Sequence, residues 1–230
     1  MIHVVDETPN ICAGPFGVLY DVYIERPWLM RAIGRMVWGI DASVLYTSME
    51  PIRTTEGVTI VDVPCGGGVA FRALRPDQDV RYIAGDLCPK MLRRAERRAR
   101  RRSLNQVEFM AANMMELPIA SDETDLFLSF SGLHMVAEPE RAVAEIARCL
   151  KPGGQLIGTA FFSDVSRRAR ALFEIGAHRG HPLPPSRGDL LHWLTDADFS
   201  DPVIGPQRGF AAFTARKQEA TIRAQVSPSK

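Results

Sequence analysis

At 230 residues the chain can bury a large core, and doubly wound domains of this size are common as single units. Its formal net charge of +1 gives no global argument for nucleic acid or membrane, no apolar run approaches a spanning helix, and Met1 to Glu7 lacks the basic-then-apolar pattern of a signal peptide. The four cysteines, Cys12, Cys65, Cys88 and Cys149, contain no C-x-x-C pair, which argues against a zinc site or a disulfide framework and fits a reducing, cytoplasmic compartment.

From about 14 to 50 the apolar residues Tyr20, Tyr23, Trp28, Leu29, Ile33, Met36, Val37 and Ile40 recur at helical spacing, which predicts one or two amphipathic helices ahead of a sheet, packed over its ligand end. Trp28 and Trp38 read as packing residues. Val58 to Val63 is then a buried strand running into Pro64-Cys65-Gly66-Gly67-Gly68, followed by a helix and a second strand, Tyr82 to Gly85, that ends on Asp86. Glycines at such a turn admit a ligand that a Cβ would repel, and a carboxylate at the end of the next strand can accept both hydroxyls of a ribose. The helix after Cys88-Pro89 sets Arg93, Arg94, Arg97, Arg98, Arg100, Arg101 and Arg102 against Met91, Leu92, Ala95 and Ala99. With cations favoured near a helix C-terminus and no aromatic residues interleaved, this reads as a solvated outer helix and not as a nucleic-acid contact.

Further on come Asn113-Met114-Met115-Glu116-Leu117-Pro118, a fourth strand at Asp125 to Phe130, Leu133-His134, a helix from Glu138 to Leu150, the turn Lys151-Pro152-Gly153-Gly154 and a fifth strand. The alternation implies a mostly parallel sheet. A basic helix (Val165 to Gly176), a Pro/Gly-rich loop (Gly180 to Pro185), a short helix (Asp189 to Asp198) and two strands near Pro202 to Ile204 and Phe210 to Thr214 follow, and Lys217 to Lys230 reads as a frayed tail.

A dinucleotide fingerprint needs a small residue three positions after its second glycine, and that position is Phe71. What remains resembles motif I of the class I S-adenosylmethionine-dependent methyltransferases, with Asp62 as its acid and Pro64 in place of its first glycine. Asn113 to Pro118 resembles the family's segment after the third strand, with Asn113 where aspartate is common, and Leu150 to Gly154 resembles its Leu-Lys-Pro-Gly-Gly turn. Tyr20-Asp21 and Tyr23 resemble a Tyr-Asp pair found ahead of the sheet in quinone and other small-molecule methyltransferases, where the phenol meets the cofactor carboxylate. The resemblance covers roughly residues 55 to 162.

The resemblance implies a doubly wound, mostly parallel seven-stranded α/β sheet with a reversed final strand pair and an N-terminal helical lid. It implies one domain over 1–230, with the lid at 14–50, the cofactor core at 55–162, a substrate-side segment at 163–216 and a flexible tail at 217–230. It also implies S-adenosylmethionine as cofactor, no metal, and a small, partly apolar methyl acceptor, O- or C-methylated ahead of N-methylated because Ser129-Phe130-Ser131-Gly132 stands where amino-methylating relatives carry Asn-Pro-Pro-Tyr. The Pro64, Cys65, Gly66 and Gly68 backbone is expected at the methionyl part, Asp86 at the ribose, and Leu87, Met91, Asn113 and Met114 about the adenine. Tyr20, Asp62, Ser129 and Phe130 complete the cofactor set. His134, beyond the fourth strand, is the candidate proton acceptor, with a backbone hydrogen bond as its other reading. His178, His181 and His192 are expected on the surface. A homodimer, a non-catalytic cofactor-binding scaffold and a nicotinamide-dependent dehydrogenase stay open.

Overall fold

The computed structural model describes residues 26–178 and 181–219. Seven strands form one sheet in the order β3-β2-β1-β4-β5-β7-β6: β1 (Val58–Asp62), β2 (Val80–Asp86), β3 (Val107–Ala111), β4 (Thr124–Phe130), β5 (Leu150–Phe161), β6 (Phe199–Ile204) and β7 (Phe210–Lys217). The first five pair in parallel, whereas β7 runs antiparallel to both β5 and β6. Strands β1 and β4 are central because their side chains face protein on both sides, as in Ile60, Val61, Leu126, Phe127 and Leu128. The chain leaves β1 toward β2 on one side and later returns through β4 on the other. Residues 63 to 68 therefore sit at the topological switch point, where open parallel sheets bind ligands.

Helices cover both faces. On one lie α1 (Pro27–Ile33), which continues as a π turn (Gly34–Trp38), then α2 (Ser43–Thr47) and α3 (Pro89–Arg101), burying Met30, Leu45, Ala95 and Ala99 in a cluster with Ile60, Phe71 and Tyr82. On the other lie α4 (Pro139–Cys149) and α6 (Arg187–Asp196), whose Val143, Ile146, Leu190 and Leu194 pack with Val61, Phe127 and Phe213. Helix α5 (Arg167–Ala177) stands beside the π turn, with Trp38 5.3 Å from Phe173 between ring centroids. Ser166 caps α5 by accepting from Ala169 N–H, and Ser186 with Asp189 forms a capping box on α6, so each helix begins where a hydroxyl can satisfy its first donors.

Several local expectations change. The connection from β1 to β2 is a five-residue 3-10 turn (Val69–Ala73) and not a full helix, since Phe71 turns into the core at once and Arg75-Pro76 ends it. The face this leaves bare is filled from the N-terminal side. Met49 and Ile52, fully buried, join Phe71 and Leu74 in one cluster, the Gln78 side chain donates to Ile52 O and Thr55 O at 2.7 and 2.8 Å, and Arg72 lies over the Tyr46 ring at 4.5 Å. The Lys151-Pro152-Gly153-Gly154 turn lies inside β5, where the register with β4 slips between Thr124 and Leu126 and Gly153 takes φ +76°. Trp28 is 67% exposed and so does not serve as a packing residue, while Trp38 packs on Phe161 and Phe173. Strand β7 ends at Lys217, which donates to Leu150 O and pairs with Asp122.

Candidate active site

The chain crosses from β1 into the turn through a cis Val63–Pro64 bond. Gly66 and Gly68 adopt φ +53° and +80°, the left-handed region that a side chain resists. A Cβ on Gly66 would meet nothing within 4 Å, so the space above the turn is open. The turn spends most of its own donors internally: Cys65 N–H donates to Gly85 O (2.8 Å), Gly68 N–H to Cys65 O (2.9 Å) and Gly66 N–H to Asp86 Oδ2 (2.9 Å). Among the described residues this leaves the Gly67 N–H for a ligand. The Cys65 side chain points into the core, where burial pushes its thiol well up, so only its backbone can meet a cofactor.

Asp86 sits at the end of β2 with 7% of its surface exposed. Its Oδ1 accepts Cys88 N–H at 2.8 Å and its Oδ2 accepts Gly66 N–H, which fixes the carboxylate in plane. Burial raises its pKa, and these two bonds oppose the rise. A carboxylate oxygen has two lone pairs, so each keeps one for a further donor, the pattern a vicinal diol requires. Beside the turn, Ser129 Oγ is buried without a hydrogen-bond partner, and a Cβ on Gly132 would meet Pro64 Cδ at 2.3 Å, Met114 Cε at 2.8 Å and Ser129 Oγ at 2.8 Å. The open position at Gly66, a braced acid with spare lone pairs and an orphaned hydroxyl fit a nucleoside-bearing cofactor.

Other expected residues fall into two groups. Leu87 is exposed and Met91 half-buried at the edge of this site, where α3 starts. Asn113 turns its Oδ1 back onto Met115 N–H at 3.0 Å, so its carbonyl organises its own loop. Met114 and Phe130 are core side chains. Asp62 lies beneath the turn, accepting the Tyr82 hydroxyl at 2.8 Å, and burial pushes its carboxyl up to about 7. Tyr20, with Asp21 and Tyr23, lies outside the described residues.

His134 follows β4 in a 3-10 turn (Leu133–Met135) and is buried. Its Nδ1 accepts Phe161 N–H at 3.4 Å and its ring meets the Phe161 ring edge-on at 5.2 Å. Burial pushes its pKa down to about 4. The ring is thus neutral near pH 7, and with Nδ1 accepting, its proton resides on Nε2. The lone pair that a general base would use is turned toward the end of β5. His134 borders a cleft of about 310 Å³ that Pro139, Pro182, Leu183, Pro184, Pro185 and Trp193 help to line. A second cleft, of about 350 Å³, separates Arg35–Val37 and Gly39 from Ser166–Arg168. His178 and His192 are exposed, as expected of surface residues, while His181 is half-buried. Among the described residues no group of three or more His, Cys, Asp or Glu side chains could hold a metal ion.

Some positioning residues were not found from sequence. Glu145 and Arg148, three apart on α4, clasp the loop after β3: Glu145 Oε2 accepts Leu117 N–H at 2.9 Å, while Arg148 donates to Ile119 O and Leu117 O at 2.8 and 3.1 Å. Their spacing signals an ion pair, but its target belongs to another element. Phe71, fully buried against Tyr82 and Phe109, occupies with a core ring the position where a dinucleotide site needs a small residue.

Residues 61–158 match the family described as methyltransferase domain. The chain is 32% identical over 111 residues to the mitochondrial 2-methoxy-6-polyprenyl-1,4-benzoquinol methylase of Caenorhabditis elegans, covering 47% of this chain and 39% of that protein. It is 33% identical over 123 residues to the ubiquinone/menaquinone biosynthesis C-methyltransferase of Methylobacterium nodulans, covering 52% and 48%. The chain thus spans about half or less of the length of these relatives. Among solved structures, the phosphoethanolamine N-methyltransferase 2 of Haemonchus contortus superposes with a TM-score of 0.73 at 13% identity, over 94% of this chain and 59% of that one, a likeness of fold.

Proposed function

We propose that the chain is a class I S-adenosylmethionine-dependent methyltransferase that transfers the methyl group of S-adenosylmethionine to a small, partly apolar acceptor, at carbon or oxygen; the match of residues 61–158 to the methyltransferase-domain family and the two quinol and quinone relatives support this reading. The observation that carries this reading is the junction of β1, β2 and β4, where an open glycine turn faces a carboxylate held in place by Gly66 and Cys88. When bound, the cofactor supplies a methyl group made electrophilic by its sulfonium. Asp86 holds the ribose diol with the lone pair left on each oxygen. The Gly67 N–H and neighbouring carbonyls of the turn hold the methionyl part, and Leu87 and Met91 flank the adenine at the start of α3. Fixing both reactants in line is the main service asked of the protein, since orientation alone can lower such a barrier by about 7–11 kcal/mol.

Acceptor binding is assigned to the proline-rimmed cleft beside His134. Carbon is the favoured nucleophile. With the His134 lone pair committed to Phe161 and its ring kept neutral by burial, an acceptor that needs no proton removed before attack, such as the ring carbon of a phenolate, suits this site best, the ring proton displaced by the new carbon–carbon bond leaving to solvent as the ring regains aromaticity. The names of the relatives, a benzoquinol methylase and a C-methyltransferase, support the same choice. His134 is then a positioning residue that ties the loop after β4 to the end of β5.

Calorimetric titration with S-adenosylmethionine, its demethylated product and a nicotinamide dinucleotide, followed by transfer of labelled methyl to a panel of quinols, phenols and alcohols, tests the reading. Binding of the sulfonium cofactor with label on ring carbon is expected. Binding without turnover across the panel would favour a scaffold, and preference for the dinucleotide would overturn the assignment.

A further inference from the structure

We propose that the outer face of α1, the π turn and α5 is a docking surface for an anionic lipid bilayer. On α1 and the π turn, Trp28, Met36 and Val37 face outward, Trp28 and Met36 at 67% and 75% exposure. On α5, Leu172 and Ile175 do the same. The spacing is helical on both elements: Trp28, Ala32, Arg35 and Met36 share one stripe, and Arg168, Leu172 and Ile175 another, so each segment has one face in the core and a second apolar face outside it. The segments are fixed to each other by the Trp38–Phe173 contact and by Ser166 Oγ donating to Trp38 O at 3.4 Å. They present one surface.

That surface is also basic. Arg31, Arg35, Arg167 and Arg168 are exposed on or beside it, against the acids Asp41 and Glu174. Among the described residues none of the four forms a direct ion pair, although Arg31 and Arg35 lie near enough to Asp41 to help lower its pKa, and Arg170 turns away to donate to Ser163 O. The near-neutral net charge of the chain hides this, because the balancing acids lie elsewhere. Helix α3, on the same side of the sheet, adds exposed Lys90, Arg93, Arg97, Arg100 and Arg101 with Glu96 as its one acid.

A partner must therefore offer negative charge and apolar depth together. A nucleic acid supplies the charge, but Met36, Leu172 and Ile175 have nothing to stack on or pair with along a phosphate backbone. The headgroup region of a bilayer supplies both: indole and aliphatic side chains enter the acyl boundary while arginines reach up to the phosphates. The inference stands on this surface alone and needs neither the cofactor nor the acceptor assigned above.

The test uses the full chain with vesicles of phosphatidylcholine alone or mixed with phosphatidylglycerol. Sedimentation with the mixed vesicles is expected, and it should weaken with added salt and in the absence of the anionic lipid. At about fivefold per cation near an anionic surface, Arg167→Gln with Arg168→Gln should reduce partitioning about 30-fold. Bromine on the acyl chains should quench the intrinsic fluorescence, and Trp28→Phe should remove most of that quenching, a readout that needs no loss of binding. All of these residues are exposed, and circular dichroism melting checks that the variants are folded. No sedimentation with the mixed vesicles, equal partitioning of the double variant, quenching that survives Trp28→Phe, or binding of a labelled RNA in place of vesicles would each overturn the proposal.

Discussion

Replacing His134 with asparagine should flatten the acid limb of the stability curve. Asparagine keeps an acceptor for Phe161 N–H at short reach but cannot titrate, so the variant isolates the proton. In the native protein burial holds the imidazole at about 4, against 6.5 for an exposed ring. The folded state therefore binds fewer protons than the unfolded one between these values, and stability falls as the pH drops. The contribution is fully present above about pH 6.5 and is lost as pH falls toward 4. Linkage gives a loss of about 1.4 kcal/mol at pH 5.5 and about 2.5 kcal/mol at pH 4.5, relative to pH 8. Urea unfolding followed by far-ultraviolet circular dichroism from pH 4.5 to 8, in wild type and His134→Asn, reads the difference directly. Other acids titrate in both proteins and cancel in the subtraction. Curves that stay parallel across this range would refute the burial argument, as would titration near pH 6.5 of the His134 imidazole resonance, assigned by its absence from the variant. The same reasoning predicts that methyl transfer shows no inflection at 6.5 from this residue.

Asp86→Ala should weaken S-adenosylmethionine binding by about 2–4 kcal/mol by calorimetry, since hydrogen bonds to a charged acceptor are lost, and unchanged affinity would remove the ribose assignment. Asp62 has the opposite sign to His134: burial raises its folded pKa to about 7 from the 3.8 of an exposed aspartate, so its contribution is present below 3.8 and lost as pH rises through 7. Asp62→Asn should therefore be the more stable protein at pH 8, by about 4 kcal/mol at most, and a less stable variant at that pH would contradict the assignment. Gly132→Ala would drive a Cβ onto Pro64 Cδ, and unfolding should show a loss of about 1–3 kcal/mol together with weaker cofactor binding; a loss under about 0.5 kcal/mol would mean that the loop yields freely.

The strands were legible because their burial is continuous, and Val58 to Val63 or Asp125 to Phe130 could be little else. Asp86 was legible for a different reason, being the acid at the end of the strand that follows a glycine turn. What escaped depends on register and on contacts far apart in sequence. Asp62 meets Tyr82 only because β1 and β2 align Ile60 with Tyr82, a pairing that no local pattern states. The neutrality of His134 comes from Phe161 and the end of β5 closing over it. The 3-10 connection looks helical in sequence because Val69 to Leu74 has helix-forming residues, yet the eleven residues between Gly68 and Val80, broken at Pro76, leave no room for a full helix. Charge was the most misleading quantity, since a sum over the chain is blind to which face carries it.

The short link between β1 and β2 also bears on how this chain could be recombined with others of its fold. Segments ahead of the sheet are tempting cassettes for exchanging acceptor preference, with the splice placed just before the first strand. Here such a splice would strip Tyr46, Met49 and Ile52 from over Phe71 and Leu74, and would take away the carbonyls that satisfy Gln78. The foreign piece would have to restore that layer, which a donor with a full helix between its first two strands has no need to make. A viable crossover point lies upstream, before Ile40, so that α1 and the π turn travel with the residues ahead of them and the stretch from Ile40 to Thr54 stays with its host.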